Sequence, residues 1–401
     1  MKLVTTTLVL AVAGTAHAGG LQRPNGISAR GVGMGGAFVA FADDATAIYF
    51  NPAALDAMAP EIMVGGELVY GPRTYTPIGG PDQSTTIVAP VPSIGLVGRL
   101  GDSDRPSRLT FGLGVFNTFG GDVTYDKTGN PALDATRDIV IELDGSVALH
   151  VSDRFSVGAG IRLGLGLFHV ESTMLPFDAT LSANGVGAGM SLSALVRPTD
   201  RLRIGLAWHS PLNVTTKGTG EFDFSGVPTT DTIEHEQHWP QWASLGVGYQ
   251  ATQDLRLAAQ VDWTQWSNTD EITVVFPAGA LPDQIYPEYW RDSWTVRAGG
   301  EYAISPLAAL RAGAYFDQYA VPDQSLERQY LDSNKVGVSA GASFHASQWR
   351  FDMAVDGIVP STRTVENNAA EVMNFTPLVN KAPGDHRGTL ITFELAAARQ
   401  F

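Results

Sequence analysis

Apolar residues alternate with small or polar residues, with a period of two, in several separate segments of the chain. In residues 155–167 every odd position is apolar, and the even positions are glycines except for Ser156 and Arg162. Because successive side chains of a β-strand point to opposite faces, this pattern predicts strands with one apolar face. The same alternation recurs in four later segments, 202–209, 255–264, 294–302 and 336–344.

The connections between these segments fall into two length classes. A transmembrane barrel has short turns at one end and longer loops at the other, whereas a soluble sandwich has no reason to sort its loops by length. The two classes therefore predict an all-β fold, a transmembrane antiparallel β-barrel. The short polar links are 151–154, 197–201, 250–254, 304–307 and 345–348. The long connections are 120–137, 171–185, 215–240, 268–291, 321–334 and 361–386.

The alternation predicts fourteen strands, an even number that suits a closed antiparallel barrel. Closure is needed because an open edge would leave backbone groups unpaired in hydrocarbon. The predicted strand centres are residues 68, 95, 114, 145, 161, 191, 207, 246, 260, 298, 314, 340, 354 and 394.

The last predicted strand alternates Ile391, Phe393 and Leu395 with less apolar residues, and the final residue is Phe401. A terminal aromatic on such a strand is similar to the assembly signal of outer-membrane barrels. That similarity implies the barrel assembly machinery as a partner.

Residues 1–18 have the features of a secretory signal. Lys2 supplies the positive start, residues 3–13 form a short apolar core, and Ala16-His17-Ala18 is an A-x-A cleavage site. The core is shorter than a membrane-spanning helix requires. We therefore expect export and cleavage after Ala18.

Residues 28–53 are too rich in glycine to predict a stable helix and too apolar for a solvated tail. The glycines permit positive φ or close approach to other atoms. Pro52 lacks an N–H and restricts Asn51 to extended conformations, which predicts a fixed bend with the glycines as the pliable part. The residues of interest are Gly31, Gly33, Gly35, Gly36, the turn signals Asp43 and Asp44, and Asn51, Pro52 and Ala53.

This stretch resembles the N-terminal plug, or hatch, of the FadL-type outer-membrane transporters of long-chain fatty acids and aromatic hydrocarbons. A loop-rich cap on an ordinary β-protein is the alternative interpretation of the stretch alone. The resemblance extends over the mature chain, through 91–95, 111–116, 197–211, 245–249, 255–263 and 311–315.

The resemblance implies a signal peptide at 1–18, a hatch at 19–59 and a fourteen-stranded barrel at 60–401. It implies an outer-membrane protein, surrounded by lipid, that takes up hydrophobic small molecules by passive diffusion. A general outer-membrane porin is the nearer alternative, and an outer-membrane lipase or esterase is a more distant one. Which hydrophobic molecule is carried, a fatty acid or a hydrocarbon, stays open at this point.

Composition removes several other classes of function. The chain has 41 acidic and 26 basic residues, a net charge of −15, which argues against a nucleic-acid partner. The His235 and His238 pair has no third ligand to complete a metal site. A turn explains Asp43-Asp44 better than a cation site does. We therefore expect neither an enzyme nor a cofactor or metal.

The predicted external loops carry unusual apolar residues. Phe116, Phe119, Met174, Leu175 and Phe177 are candidates for capturing the hydrophobic ligand. Four more aromatics could serve either a ligand site or the aromatic belt at the membrane interface: Trp239, Trp242, Tyr289 and Trp290.

Arginines and acids share the predicted inward faces of the strands. Paired charges that brace the barrel are one interpretation, and an arginine that meets a fatty acid carboxylate by charge-assisted hydrogen bonds is the other. The arginines are Arg162, Arg203, Arg256, Arg297, Arg311 and Arg350, and the acids are Asp262, Glu301, Asp317, Asp352 and Glu394.

Overall fold

The computed structural model describes residues 27–100, 108–125, 133–174, 177–279, 281–329, 331–366 and 382–401. The predicted signal peptide with its cleavage site at Ala18, and the candidate ligand residue Leu175, lie outside these ranges.

The described chain contains twenty strands in a single sheet. They are β1 (Glu61–Pro77), β2 (Gln83–Leu100), β3 (Leu109–Thr124), β4 (Leu133–Ser152), β5 (Phe155–Met174), β6 (Phe177–Thr199), β7 (Leu202–His209), β8 (Leu212–Phe224), β9 (Pro228–Trp239), β10 (Trp242–Gln250), β11 (Leu255–Thr264), β12 (Glu271–Val275), β13 (Gln284–Pro287), β14 (Ser293–Ser305), β15 (Ala308–Asp317), β16 (Lys335–Ala346), β17 (Trp349–Pro360), β18 (Arg363–Val365), β19 (Gly384–Gly388) and β20 (Leu390–Gln400).

Fourteen of these strands close into an antiparallel barrel. Each pairs with the next in the order β1 to β7, β10, β11, β14 to β17 and β20, and β20 pairs with β1 to close the ring. Each of the predicted strand centres lies in one of these fourteen strands. The predicted barrel and its strand number are confirmed.

The remaining strands extend the sheet beyond the barrel at one end. β8 pairs with the first half of β6 and with β9, β9 pairs with β12, and β19 pairs with the end of β1. The long connections predicted at 171–185 and 215–240 therefore contain strands rather than irregular loops. The strand segments in these two ranges lie beyond the apolar band described below, and their outward side chains are polar. The apolar alternation that marks a lipid-facing strand is therefore missing from them.

The short links predicted from sequence are the tight connections of the barrel, and they all lie at one end, called the short-turn end below. They join β4 to β5, β6 to β7, β10 to β11, β14 to β15 and β16 to β17. The C-terminal residue lies there too, because the N–H of Phe401 donates to the carbonyl of Pro60 at 3.0 Å. The opposite end is called the long-loop end.

An apolar band surrounds the barrel wall. The outward side chains of β5 are apolar from Phe155 to Leu167 and polar from His169 onward. On β6 the change comes between Asn184 and Val186, and Leu167 pairs with Asn184, so both strands change at the same height. Along a tilted strand, residues 155–165 span about 25 Å, the height of the lipid-facing band of an outer-membrane barrel.

Within the described residues, no α-helix is long and apolar enough to cross a membrane.

Residues 27–58, called the N-terminal segment below, fill the barrel lumen. Glycines on the inward faces of the wall leave room for its backbone. A Cβ on Gly158 would lie 2.3 Å from the Ala53 nitrogen, and one on Gly299 would lie 2.2 Å from the Met34 carbonyl oxygen. The inward glycines of the alternating segments thus allow the N-terminal segment to pack directly against the wall.

The N-terminal segment contains short helices, although its glycine content predicted none. Helix α1 (Ala29–Gly33) is capped by Ser28, whose hydroxyl accepts from the Gly31 N–H at 3.1 Å. Helix α2 spans Ala47–Phe50, and a 3₁₀ helix spans Pro52–Ala57. Five residues of helix need little intrinsic propensity when the barrel wall surrounds them on all sides.

The apolar band predicts how charge is tolerated along a single strand. Leu163→Lys, at mid-band on β5, should destabilise the folded protein in lipid by about 2–4 kcal/mol, because the ammonium must enter hydrocarbon. Glu171→Lys, outward on the same strand but beyond the band, should have little effect. Urea unfolding in vesicles measures both, and equal losses at the two positions would contradict the band.

Candidate functional site

A cavity lined by aromatic rings lies at the long-loop end of the lumen. The space in and around it is about 790 Å³ when the open solvent at its mouth is included. Phe119 stacks on Trp239, with ring centroids 5.6 Å apart and planes 15° apart. Trp266 presents its edge to Phe119 and to Trp290, each at 5.8 Å between centroids. These four side chains are called the aromatic box below.

Four separate elements supply the aromatic box. Trp239 ends β9, Trp266 begins a 3₁₀ helix after β11, and Trp290 lies shortly before β14. Phe119 comes from β3, where the register with β4 shifts between Asn117 and Phe119. This bulge adds a residue to β3, and Phe116 and Phe119 are consequently both buried although positions three apart on a regular strand face opposite sides.

The hydrogen-bonded ladder of the barrel wall is interrupted beside this bulge. β2 and β3 pair from Ile94 with Val115 to Leu100 with Leu109, and no further backbone pair joins them within the described residues. Beyond that ladder the Thr85 hydroxyl of β2 donates to the Thr124 carbonyl of β3 at 2.5 Å. Beyond Ile94, residues 83–93 of β2 pair only with β1. Pro90 and Pro92 lie in that stretch and offer no N–H to a neighbouring strand. This stretch, with residues 116–124 of β3, is called the side opening below.

The N-terminal segment closes the lumen between the cavity and the short-turn end. The Asn51 side-chain amide donates to the Val39 carbonyl at 2.8 Å, and its oxygen accepts from the Ala53 N–H at 3.2 Å. The Ala53 N–H also donates to the Ser193 hydroxyl of β6 at 2.8 Å. The Asn-Pro-Ala element therefore ties the segment to itself and to the wall.

Asn51-Pro52-Ala53 does not turn the chain into the first strand. Pro52 is the first residue of the 3₁₀ helix, and β1 begins only at Glu61. Asn51 is extended, with φ −163° and ψ 88°, as a residue before proline should be.

The glycines of the N-terminal segment lie tightly against the wall. Gly35 and Gly36 have φ of 65° and 77°. A Cβ on Gly35 would lie 2.7 Å from the Ala314 nitrogen, and one on Gly36 would lie 2.6 Å from Arg297 Nη1. Gly31 and Gly33 belong to α1. Glycine is needed at these positions because the backbone of the N-terminal segment lies too close to the wall for a side chain. That the glycines are pliable stays a prediction.

Asp43 joins the N-terminal segment to the wall electrostatically. Its carboxylate pairs with Arg30 of the segment at 2.8 Å and with Arg256 of β11 at 2.7 Å. Burial alone would raise the pKa of Asp43, but these two arginines hold it well below its usual range. Asp44 serves the local turn, since it accepts from the Ser28 hydroxyl at 2.8 Å and from the Thr46 N–H at 2.9 Å.

The predicted inward arginines form ion pairs along the wall. Arg162 pairs with Glu142 at 2.6 Å, and Arg297 pairs with Asp262 at 2.6 Å. Arg203 stands over the Phe41 ring at 5.3 Å. These geometries support the bracing interpretation. The remaining pairs are Arg256 and Arg311 with Glu301, Arg350 with Glu61 and Asp352, and Asp317 with Lys335. Glu394 lies opposite Glu67 on β1 and accepts from Thr392.

The structure shows the side-chain positions of two of the predicted capture residues. Phe119 lines the cavity, and Phe116 is buried beneath it beside Tyr49, with 6.1 Å between the ring centroids. Met174 ends β5 and Phe177 begins β6, and the positions of their side chains lie outside the described part of the chain. Capture by Met174, Leu175 and Phe177 thus stays a prediction.

Four aromatic residues were predicted to serve either a ligand site or the aromatic belt at the membrane interface, and most of them lie in the protein interior. Trp239, Trp242 and Trp290 are buried, and only Tyr289 is half-exposed. The outward-facing tryptophans are others, among them Trp294 and Trp349. Trp266 was not predicted to line a ligand site, because it follows the strand ending at Thr264 and carries no alternation signal of its own.

His235 and His238 lie in β9 rather than in a loop. Positions three apart on a strand face opposite sides, so the two rings cannot share one metal ion. His235 is buried, and its ring lies 3.0 Å from the Thr273 carbonyl. No group of three or more metal-ligating side chains occurs in the described ranges.

Comparisons with known proteins agree with this architecture. A family model described as "Outer membrane protein transport protein (OMPP1/FadL/TodX)" matches residues 9–401. A putative outer membrane protein of Neisseria meningitidis is 25% identical over 189 residues, 42% of this chain and 41% of the relative. A 47 kDa outer membrane protein of Pasteurella multocida is 25% identical over 216 residues, 49% of this chain and 50% of the relative. The chain thus spans about half the length of these curated relatives.

Three solved structures share the fold at low sequence identity. A Pseudomonas aeruginosa FadL homologue has a TM-score of 0.84 and 20% identity, covering 95% of this chain and 100% of its own. The Ralstonia pickettii toluene transporter TbuX has a TM-score of 0.74 and 18% identity, with coverage of 94% and 99%. The Pseudomonas putida toluene transporter TodX has a TM-score of 0.76 and 16% identity, with coverage of 94% and 99%.

Proposed function

The chain belongs to the OMPP1/FadL/TodX family of outer-membrane transport proteins, and from this we propose that it takes up hydrophobic small molecules by passive diffusion. The observation that carries the proposal is the aromatic cavity at the long-loop end, above a lumen filled by the N-terminal segment. In an outer-membrane barrel the long loops face outward, so the cavity is open to arriving solute.

An apolar cavity favours a hydrophobic solute where a water-filled pore cannot. Each CH₂ group that leaves water contributes about 0.8 kcal/mol. Offset or edge-to-face contact with a ring adds about 0.5–1.5 kcal/mol. The aromatic box offers both kinds of contact. Two of the similar structures are named as toluene transporters, which agrees with a solute that carries a ring.

The N-terminal segment is proposed as the hatch. It is tied to the wall by Asp43 with Arg256, and by the Ala53 N–H with Ser193. A general porin needs an aqueous channel, and a lumen filled by a buried apolar cluster does not supply one. A gating movement at Asn51-Pro52-Ala53 stays a prediction.

The side opening is the proposed way out of the cavity. It includes part of the strand that carries Phe119, and the backbone ladder between β2 and β3 is interrupted there. A solute that leaves there passes from the aromatic box toward membrane lipid without crossing water. The direction of movement then follows the concentration of the solute, with no energy source.

The cavity predicts a loss of uptake in Trp266→Ala. Removing one wall of the aromatic box should lower the affinity for a hydrophobic solute, and with it the uptake at low concentration, by about tenfold. Uptake of labelled toluene and oleate by cells that lack other such transporters measures the effect. Trp349→Ala, on the outer surface, is the control. Normal uptake by a correctly assembled Trp266→Ala protein, judged by heat-modifiable gel migration, would refute the role of the cavity.

The side opening predicts that Pro90→Val combined with Pro92→Val lowers uptake. Valine supplies the missing N–H groups and favours strand, so β2 should pair further along β3 and narrow the opening. The folded protein should be at least as stable as before. Pro198→Val, near the short-turn end of β6, is the control. If the double variant imports toluene at the normal rate, solute does not leave between β2 and β3.

A further inference from the structure

One carboxylate in the wall of the aromatic cavity lacks a cationic partner. Asp138 faces the lumen from β4 and lines the cavity. Its Oδ1 accepts a hydrogen bond from the Gln237 side-chain amide. Within the described residues, no nitrogen of a lysine, arginine or histidine side chain lies within 4.0 Å of the Asp138 carboxylate. Its neighbour Arg137 faces the other side of the strand and pairs with Asp122 at 2.7 Å.

Asp138 differs in this respect from other acids of the wall. Lower in the lumen, Glu142 holds Arg162 through two nitrogens, at 2.6 and 2.8 Å. Asp262 holds Arg297 at 2.6 Å. These two wall acids are thus paired with arginines within the protein, whereas Asp138 lines the cavity. The counter-charge at that position is left to whatever enters the cavity.

The other charged groups around the cavity do not neutralise Asp138. Arg73 is the single arginine among the lining residues, and its Nη1 donates to the Gln329 carbonyl at 2.8 Å. Burial lowers the pKa of His235 to about 4, so its ring is uncharged at neutral pH. Glu236 and Glu271 add further negative charge to the lining. Burial raises the pKa of the Asp138 carboxyl to about 7, and a cation bound beside it would favour its ionised form. The acids of the lining therefore favour a cation over an anion.

A second acceptor lies on the same face of β4, two residues from Asp138. The Thr136 hydroxyl is buried, lines the cavity and has no hydrogen-bond partner within the described part of the chain. An ammonium group has three donors, so it can serve a carboxylate and a hydroxyl together. A buried acceptor without a hydrogen-bond donor destabilises the protein by about 1–3 kcal/mol, and a donor on the ligand would recover this free energy.

The aromatic box suits the same kind of ligand. A cation near the faces of aromatic rings gains about 0.5–2 kcal/mol, and tryptophan is the best of the aromatic side chains for this. Three of the four box residues are tryptophans. The aromatic box can contact the apolar part of a ligand while the Asp138 carboxylate binds its ammonium group.

We propose that the cavity selects hydrophobic molecules that carry a protonated amine, with Asp138 as the residue that binds the ammonium group. This inference rests on the proposed function, because it assumes that the cavity is where the solute binds. It narrows the substrate class from hydrophobic molecules in general to organic amines with an aromatic or aliphatic body.

Three ligands of nearly equal shape test the proposal: 2-phenylethylamine, propylbenzene and 3-phenylpropionate. Binding is followed by tryptophan fluorescence of the purified protein in detergent, at neutral pH. The wild type should bind the amine at least about tenfold more tightly than the carboxylate, as a charge-assisted hydrogen bond implies. Asp138→Asn should lose about tenfold in affinity for the amine and change little toward propylbenzene. Comparing one ligand on two variants cancels its partition into detergent.

Asp178→Asn, an exposed aspartate on the outer face of β6, is the matched control and should leave all three affinities unchanged. Normal binding of propylbenzene by Asp138→Asn shows that this variant is folded with its cavity intact. If the carboxylate binds the wild type as well as the amine, or if Asp138→Asn keeps full affinity for the amine, the amine proposal is overturned. If propylbenzene fails to bind the wild type, the proposed function of the cavity fails instead.

Discussion

Backbone hydrogen bonding in hydrocarbon is the constraint on which the rest of this structure depends. Lipid offers no partner to an N–H or a carbonyl, so a β-sheet that crosses a membrane must close on itself. Here β20 pairs with β1 along ten successive residues, from Glu61 with Gln400 to Tyr70 with Ile391, and this pairing closes the ring. The shortened ladder between β2 and β3 is notable against this requirement, because two prolines on β2 remove donors there.

Closure of the wall creates a lumen, and the lumen must then be filled. The N-terminal segment fills it by bringing its backbone against inward glycines of the strands, while wall arginines pair with wall acids and with Asp43 of the segment. Apolar packing and ion pairs thus occupy the lower lumen. The aromatic cavity at the long-loop end is the space that this filling leaves, and its lining includes the Asp138 carboxylate, which has no cationic partner within the described residues.

The barrel was predictable from sequence because lipid imposes its pattern on every spanning strand. Residues 155–167 alternate so regularly because their odd positions face hydrocarbon. β8 and β9 face water on their outer side, carry Lys217 and Glu234 there, and give no such signal. Phe119 was predicted as a ligand residue from its apolar character in a loop. Trp266 and Asp138 were not, because a bulge in β3 and a 3₁₀ helix after β11 bring distant residues together, and sequence spacing does not show that.

The central claim is that the lumen is sealed against water and ions while the cavity stays open to hydrophobic solute. Conductance across a planar bilayer tests it most directly, with the intact protein compared with a variant that lacks residues 27–50. The account predicts no steady current through the intact protein and a steady current through the shortened one, provided that both migrate as folded barrels. A large steady current through the intact protein would contradict it and would indicate a porin.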